Sequence, residues 1–284
     1  MAIENQIKTV VLLGLLTALL LWVGDLVGGI SGLTIAFLFA IIMNFGAYWF
    51  SDKIVLAMYH AKEVSQLQEP ELFSQVKEVS QHAKLPMPKV YIIDAPYANA
   101  FATGRDPKHA AVAVTTGILE LLSKDELRGV IAHEIAHIKN RDTLISAIAA
   151  TIAGIISYVA MMARWAAMFG GSKDREGSNG LELLVLAILT PILAAIIQMA
   201  ISRSREFQAD ESGAKFIHTS VGLASALEKL EHQKDKVSLR PTAQTQTTAH
   251  IFISNPFRGS GFFQIFSTHP STKERVKRLR HLRF

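Results

Sequence analysis

The sequence contains no cysteine among its 284 residues. This absence excludes disulfide bridges, thiolate metal sites and a cysteine nucleophile. A metal ion bound by this chain must therefore be held by histidine, aspartate or glutamate side chains. The lack of cysteine also agrees with a reducing compartment, without establishing one.

Charged residues are scarce as well. They make up 19% of the chain, whereas hydrophobic residues make up 50% and the mean hydropathy is +0.27, a balance that indicates a membrane protein. The net charge of +5 raises the alternative of a nucleic-acid partner. The basic residues, however, flank hydrophobic segments or lie in the C-terminal tail KERVKRLRHLRF. We therefore expect a lipid bilayer with anionic head groups and no nucleic acid, although a solvated helix end explains the tail equally well.

Four hydrophobic stretches are long enough to cross a bilayer, which takes about 20 apolar residues. They begin at Thr9, Ser31, Thr143 and Leu181, and a short glycine-rich turn over 28–32 joins the first two. Lysine and arginine follow the second and fourth stretches and precede the third. The positive-inside rule then places both termini, the middle segment and the C-terminal segment in the cytoplasm.

These stretches divide the chain into four predicted parts. Residues 1–50 form an N-terminal transmembrane hairpin and residues 143–201 form a second one. Residues 51–142 form a cytoplasmic catalytic segment, and residues 202–284 form a cytoplasmic segment that completes the site. The predicted fold is mainly α: a four-span α-helical membrane protein with an α+β cytoplasmic domain that carries a small β-sheet.

The middle segment supplies that domain. EPELFSQVKEVSQHAKL is typical of an amphipathic helix, and KVYIID and AAVAVTTGIL are candidate strands. Ser123 and Glu126 then form a capping box that starts a helix with a regular apolar stripe. The motif HEIAH, which begins at His133, lies well inside this helix.

His133 and His137 are four residues apart, so their imidazoles project from the same side of the helix. Glu134 lies about 100° around the helix, where its carboxylate can reach a water on the ion without being a ligand. This is the spacing of zinc hydrolases, in which the glutamate acts as the general base. The alternative is a pair of surface histidines on a buried amphipathic helix, which the internal position of the motif disfavours.

A third ligand must come from elsewhere in the chain. Glu206 and Asp210 are four residues apart in SRSREFQADESGAKF, on one face of a predicted helix. Glu206 could bind the metal and Asp210 could hold the far nitrogen of a ligand histidine. The spacing alone fits a solvated acidic face almost as well, and Glu211 is a local competitor.

The combination HEIAHIKNRDTL, a membrane hairpin and SRSREFQAD resembles the membrane-integrated zinc metalloproteases of the M48 family. The resemblance covers nearly the whole chain and implies a gluzincin-like catalytic domain. It also implies one Zn²⁺ per chain held by His133, His137 and Glu206, with Glu134 as the base and Asp210 as the supporting carboxylate.

Two weaker motifs extend the resemblance. STHPSTKER resembles the family's late His-Pro motif, which implies that His269 and Arg275 are catalytic residues that stabilise the transition state. YANAFATG resembles the segment that lines the cleft, which implies a substrate-binding role for Asn99. We expect the following strand to be an edge strand that pairs with an extended peptide through Ala111, Val112 and Ala113.

The leading functional hypothesis is therefore a zinc metalloendopeptidase of the cell membrane. By resemblance, its substrates would be misfolded or damaged membrane proteins, or other unfolded polypeptides, cleaved on the cytoplasmic side during stress. The alternative is a non-proteolytic membrane scaffold or chaperone with a structural zinc site, which would need four protein ligands. A transporter that uses Asp25 and Gln198 is disfavoured because few polar residues line a possible path. The oligomeric state does not follow from the sequence.

Overall fold

The computed structural model describes residues 2–149, 151–152, 203–233, 253 and 270–284. In this part of the chain the helices are α1 Ala2–Met58, α2 Pro70–His82, α3 Thr116–Leu121, α4 Lys124–Asn140, α5 Arg203–Ile217, α6 Val221–Gln233 and α7 Thr272–His281. The strands are β1 Lys62–Glu63, β2 Lys89–Ile93, β3 Ala100–Gly104 and β4 Ala110–Thr115. A further helical stretch starts at Thr143 and covers residues 143–149 and 151–152.

Although its helical geometry is assigned without a break, α1 folds back on itself. Asn44 donates a hydrogen bond of 2.7 Å to the hydroxyl of Thr17, 27 residues away. A straight helix would separate these residues by about 40 Å. The reversal lies at Gly29, whose φ of 54° suits glycine, and a Cβ on Gly32 would overlap the carbonyl of Gly24. The chain therefore reverses within the glycine-rich segment over 28–32.

The two legs of this hairpin differ in length. Among the described residues, Gly29–Met58 is the helix that is long and apolar enough to cross a membrane, and Ile7–Trp22 is a shorter apolar helix. Most of the third predicted span and all of the fourth lie outside the described residues, so the four-span topology stays a prediction. The second leg continues to Met58, past the predicted boundary at residue 50.

The small sheet has the strand order β1-β2-β4-β3. β2 and β4 are parallel, whereas β1 pairs with β2 and β3 pairs with β4 in the antiparallel sense. The predicted strand KVYIID is confirmed as β2. Of the predicted strand AAVAVTTGIL, only AAVAVT is strand, as β4, whereas TGIL begins the helix α3. The two outer strands were not predicted. All six residues of β4 are buried, because strands pair with both of its edges and core residues pack on both faces of the sheet.

This topology corrects one prediction. Ala111, Val112 and Ala113 were expected on an edge strand that pairs with substrate, but β4 is hydrogen-bonded to β2 on one side and to β3 on the other. Its backbone has no edge to offer to a peptide. On the side of the sheet next to α4, the edge strand is β3.

The two faces of the sheet pack against different parts of the chain. Val90, Val112 and Val114 face the main core, which includes Val130 and Ile135 of α4. The opposite face packs on the end of α1. The buried residues of this contact are Val55, Leu56, Tyr59, Ile93, Phe101, Ala111 and Ala113. The end of the apolar hairpin therefore supports the sheet directly.

The turn of α1 gives a test of the hairpin. Gly32→Ala should lower the thermal unfolding temperature in detergent by several degrees, because the new methyl group would overlap the carbonyl of Gly24. Gly46→Ala is the matched control, since a Cβ there meets nothing within 4 Å. The control should match or exceed the wild-type temperature because alanine favours helix. Equal melting of both variants would contradict the close packing of the two legs.

Candidate metal centre

The helix α4 brings the two motif histidines together as the spacing predicted. Their Nε2 atoms lie 3.1 Å apart, and their rings are nearly perpendicular. His133 is fully enclosed, with 1% of its side chain exposed, and His137 lies at the more open end of the site with 16% exposed. The pair therefore points its nitrogens at one common point beneath the surface.

Glu206 of α5 completes this group. Its carboxylate oxygens lie 3.7 Å from Nε2 of His133 and 3.6 Å from Nε2 of His137. The ligand atoms of the three residues all lie within 4.8 Å of one another. The competitor Glu211 is exposed and pairs with Lys215 at 2.6 Å, which removes it from the site.

These distances fit a zinc ion. Bonds of 2.0–2.1 Å to a tetrahedral ion place its ligand atoms about 3.3 Å apart. The two Nε2 atoms are 3.1 Å apart, one Glu206 oxygen lies 3.7 Å from His133, and the other lies 3.6 Å from His137. The donor set of two nitrogens and one carboxylate is also that of catalytic zinc sites, which leave one corner for water or substrate. The residues present could therefore hold this metal.

Carboxylates fix both imidazoles from behind. Nδ1 of His133 lies 2.9 Å from Asp210, and Nδ1 of His137 lies 3.1 Å from Asp142. A proton on each Nδ1 satisfies these bonds, so both Nε2 atoms present lone pairs to the metal position. The structure places Asp210 where the resemblance implied.

Asp142 was missed by the sequence reasoning, which treated it as the residue before a membrane span. Arg141 ends α4 in the left-handed conformation and turns the chain so that Asp142 reaches back to His137. Burial alone would lower the pKa of His137, but Asp142 and Glu206 outweigh it and raise the pKa to about 9. The same carboxylates that favour a proton on this ring favour a cation beside it.

The side chain of Glu134 extends from α4 to the edge strand β3 and is buried. Its Oε2 accepts a hydrogen bond of 2.8 Å from the backbone amide of Ala102 in β3. Burial raises the pKa of Glu134 to about 7, and Glu206 acts in the same direction, whereas His137 and the Ala102 amide lower it. A carboxylate with this pKa can exchange a proton at neutral pH.

The side chain of Arg275 is almost completely enclosed and binds carboxylates of the site. Its guanidinium donates to Asp210 through Nη2 at 2.6 Å and Nε at 2.9 Å, and Nη1 lies 3.4 Å from Glu206. Nη2 is also 3.4 Å from both ring nitrogens of His133. Burial alone would lower the pKa of Arg275, but Asp210 and Glu206 raise it above its ordinary value. The positive charge of the guanidinium therefore compensates the negative charge of Asp210, the carboxylate that holds His133.

The remaining predicted residues occupy different places. Asn99 is buried, and its side-chain oxygen accepts from the amide of Ile253, whose carbonyl accepts from Arg275. Asn99 thus binds another segment of this chain in the structure, and its substrate-binding role stays a prediction. His269 lies outside the described residues, and its catalytic role stays a prediction as well.

Close helix packing carries the third ligand to the histidines. A Cβ on Gly213 of α5 would lie 2.8 Å from the backbone of Ala132 and 2.9 Å from the amide nitrogen of His133. Only glycine permits this approach. Because Glu206, Asp210 and Gly213 recur every three to four residues, the face of α5 that touches α4 is also the face that carries the acidic side chains.

Comparisons with known proteins agree with this site. Residues 66–283 match Peptidase family M48. A protein named Protease HtpX homolog from Syntrophobacter fumaroxidans is 52% identical over 285 residues, which cover 98% of this chain and 99% of the relative. Proteins of the same name are 54% identical in Persephonella marina, over 97% and 96% of the two chains, and 51% identical in Pyrococcus furiosus, over 99% and 97%.

The fold is also found among solved structures. The crystal structure of S. mikatae Ste24p superimposes with a TM-score of 0.50 at 18% identity, over 98% of this chain and 65% of that chain. The family match covers more than half of the sequence, and the curated relatives align over nearly their full length. The resemblance inferred from the motifs is thereby confirmed: the chain belongs to Peptidase family M48 and is a membrane metalloprotease.

Proposed function

We propose that this metalloprotease uses one zinc ion per chain, held by His133, His137 and Glu206, to hydrolyse peptide bonds of extended polypeptides at the cytoplasmic surface of the cell membrane. The observation that carries the proposal is the convergence of these three side chains, with the buried carboxylate of Glu134 on the same helix. When bound, zinc supplies Lewis acidity that polarises the carbonyl and lowers the pKa of a water molecule.

Glu134 performs the proton transfer in this proposal. Its pKa of about 7 lets the carboxylate accept a proton from the attacking water at neutral pH and then donate it to the leaving amine. The hydrogen bond from Ala102 holds the carboxylate beside the edge strand. The position of the base is therefore fixed relative to a peptide that binds to this strand. Asp210 and Asp142 keep the two imidazoles oriented during the reaction.

The edge strand β3 would bind the substrate. In an antiparallel pair, N–H and C=O groups of alternate residues point away from the partner strand. The Ala102 amide, bound to Glu134, shows that the outward groups are those of Ala100, Ala102 and Gly104. An extended peptide that pairs here would be recognised through its backbone, so we expect loose selectivity for its side chains.

The position of the sheet next to the apolar helices favours substrates that emerge from the bilayer. The sheet rests on the end of α1, and Tyr48, Trp49 and Phe50 form an exposed aromatic group where an apolar segment of bilayer length ends. The helical stretch after α4 packs its Ile145 and Ile148 against the first leg of α1. We therefore propose four spans, a cytoplasmic active site and, by resemblance to the M48 membrane proteases, misfolded or damaged membrane proteins as substrates under stress.

A structural zinc site in a non-proteolytic scaffold fits the geometry less well. Structural sites are closed by four protein ligands. In the part of the chain that the structure describes, the metal-ligating cluster holds three residues. A buried glutamate with a raised pKa beside the cluster is also typical of a catalytic base.

The role of Glu134 can be tested by Glu134→Gln. The amide keeps the shape of the side chain but cannot accept a proton, so we expect peptide cleavage to fall at least about 100-fold. Zinc content, measured by mass spectrometry of the purified protein, should stay at one ion per chain. Cleavage at the wild-type rate by the Glu134→Gln variant would contradict the proposed mechanism.

The third ligand can be tested by zinc content alone. Glu206→Gln should reduce zinc retention during dialysis against a weak chelator, because a neutral amide is a poorer ligand than a carboxylate. Glu211→Gln is the matched control, since Glu211 lies on the same helix, is exposed and pairs with Lys215. Loss of zinc from the control, or full retention of zinc by Glu206→Gln, would contradict the role of Glu206 as the third ligand.

A substitution of Arg275 tests whether this residue supports the metal site or takes part directly in catalysis. Arg275→Lys removes the bidentate contact with Asp210, so we expect zinc affinity to fall about 10- to 100-fold. Saturating zinc should then restore much of the cleavage rate. The control Arg278→Lys changes an exposed residue of the same helix that pairs with Glu274. A variant with normal zinc affinity and a lower kcat would instead indicate the transition-state role that the resemblance implied.

A further inference from the structure

The junction between α4 and the next helical stretch joins three functional parts of the molecule. Asp142 accepts a hydrogen bond from the metal-site residue His137. The next residue, Thr143, donates from its hydroxyl to the carbonyl of Gly104 at the end of β3, at 2.8 Å. Both junction residues are buried, and Thr143 is also the first residue of the helical stretch that packs against α1.

The carbonyl of Gly104 belongs to the outward-facing row of the edge strand. Gly104 and Ala102 are two residues apart, so their backbone groups point to the same side. On this side Glu134 binds the Ala102 amide, and Thr143 binds the Gly104 carbonyl. Side chains therefore occupy both the Ala102 amide and the Gly104 carbonyl, so a peptide that pairs with this row would use the groups of Ala100 and the carbonyl of Ala102 and would end before the Gly104 carbonyl.

The strand also changes direction at this point. Gly104 has a φ of 135°, and a Cβ there would lie 2.7 Å from Cα of Ala110. The next residue, Arg105, lies 4.9 Å from the ring of Trp49 in α1. The end of the edge strand is therefore held by two apolar parts of the chain, through a hydroxyl and through a cation–π contact.

We propose that Thr143 is a positioning residue for proteolysis: its hydroxyl fixes the end of the edge strand and thereby sets which peptide bond of a paired substrate lies opposite Glu134. This inference rests on the proposed pairing of substrate with β3. The hydroxyl of Thr143 binds the carbonyl of Gly104, so it acts on the substrate through the backbone of the edge strand.

The matched variants are Thr143→Val, Thr143→Ser and Thr151→Val. Valine has the shape of threonine without the hydroxyl, and serine restores the donor. Thr151 lies in the same helical stretch, is also buried and donates to the carbonyl of Ala147 one turn earlier, so its replacement removes a hydroxyl that is not bonded to the edge strand. All variants are made in the full chain and purified with zinc in detergent.

Steady-state cleavage of an unstructured peptide with several possible cleavage sites gives the first readout. For Thr143→Val we expect KM to rise about fivefold, the equivalent of one hydrogen bond of about 1 kcal/mol, with kcat within about twofold of wild type. Mass spectrometry of the products should show additional cleavage at neighbouring peptide bonds. Thr143→Ser and Thr151→Val should give the wild-type KM and products.

Hydrogen exchange of the backbone gives a readout that needs no substrate. Thr143→Val should speed exchange in a peptide that covers β3, residues 100–104, while α4 keeps its wild-type protection. Comparison of exchange with KM and products separates the effect of Thr143 on the strand from the role of the strand in substrate binding. Faster exchange in β3 with unchanged KM and products would show that Thr143 holds the strand but that the strand does not bind substrate, which would overturn the positioning role and the proposed pairing together.

The remaining outcomes also decide the matter. If Thr143→Val matches wild type in exchange, KM and products, the hydroxyl fixes nothing and the proposal is wrong. If it loses zinc, or if α4 and β3 exchange faster together, Thr143 is a general structural residue and the positioning role is rejected. If the valine variant does not fold, the serine variant decides, because the proposal requires it to fold with wild-type KM and products.

Discussion

Asp210 accepts hydrogen bonds from both His133 and Arg275, and the rest of the metal site depends on this shared carboxylate. Its side chain is almost completely buried, where an unpaired carboxylate costs several kcal/mol. Burial would raise the pKa of Asp210, but Arg275 and His133 reverse the effect and lower it. The carboxylate of Asp210 in α5 thus binds side chains of both α4 and α7, and it sets the tautomer of the metal-site residue His133. Glu206 contacts the same guanidinium, so the third ligand belongs to the same network.

A second constraint comes from the membrane segments. The sheet packs on the end of α1, and the chain leaves α4 through Asp142 and Thr143 into a helical stretch that contacts the first leg of α1. The elements that position the base and the metal are therefore attached to apolar helices at two points. This attachment gives a physical reason for a protease of this kind to act close to the bilayer surface.

The sequence predicted the parts of the site that local periodicity controls. His133, Glu134 and His137 follow from the 3.6-residue repeat of one capped helix, and their geometry needs no knowledge of the rest of the fold. Glu206 was different, because spacing alone left it level with a solvated acidic face, and only the resemblance singled it out. Its position depends on the crossing of two helices at Gly213, which is a tertiary contact without a local signal.

The errors have the same origin. AAVAVT was recognised as a strand, but its complete burial marks an interior strand with two neighbours, and the partner AFATG was missed because small residues and a terminal glycine give a weak strand signal. Asp142 was missed because the left-handed turn at Arg141 brings it back to His137. Without the resemblance, Arg275 would have counted as one more charge of a basic tail, since burial cannot be read from composition.

The most direct test of the account is an anomalous diffraction map at the zinc absorption edge, collected from crystals of the full chain grown with zinc. The account predicts one strong peak about 2.0–2.2 Å from Nε2 of His133, Nε2 of His137 and a carboxylate oxygen of Glu206. A peak bound by other residues, or a zinc ion at the two histidines with Glu206 turned away from it, would contradict the account.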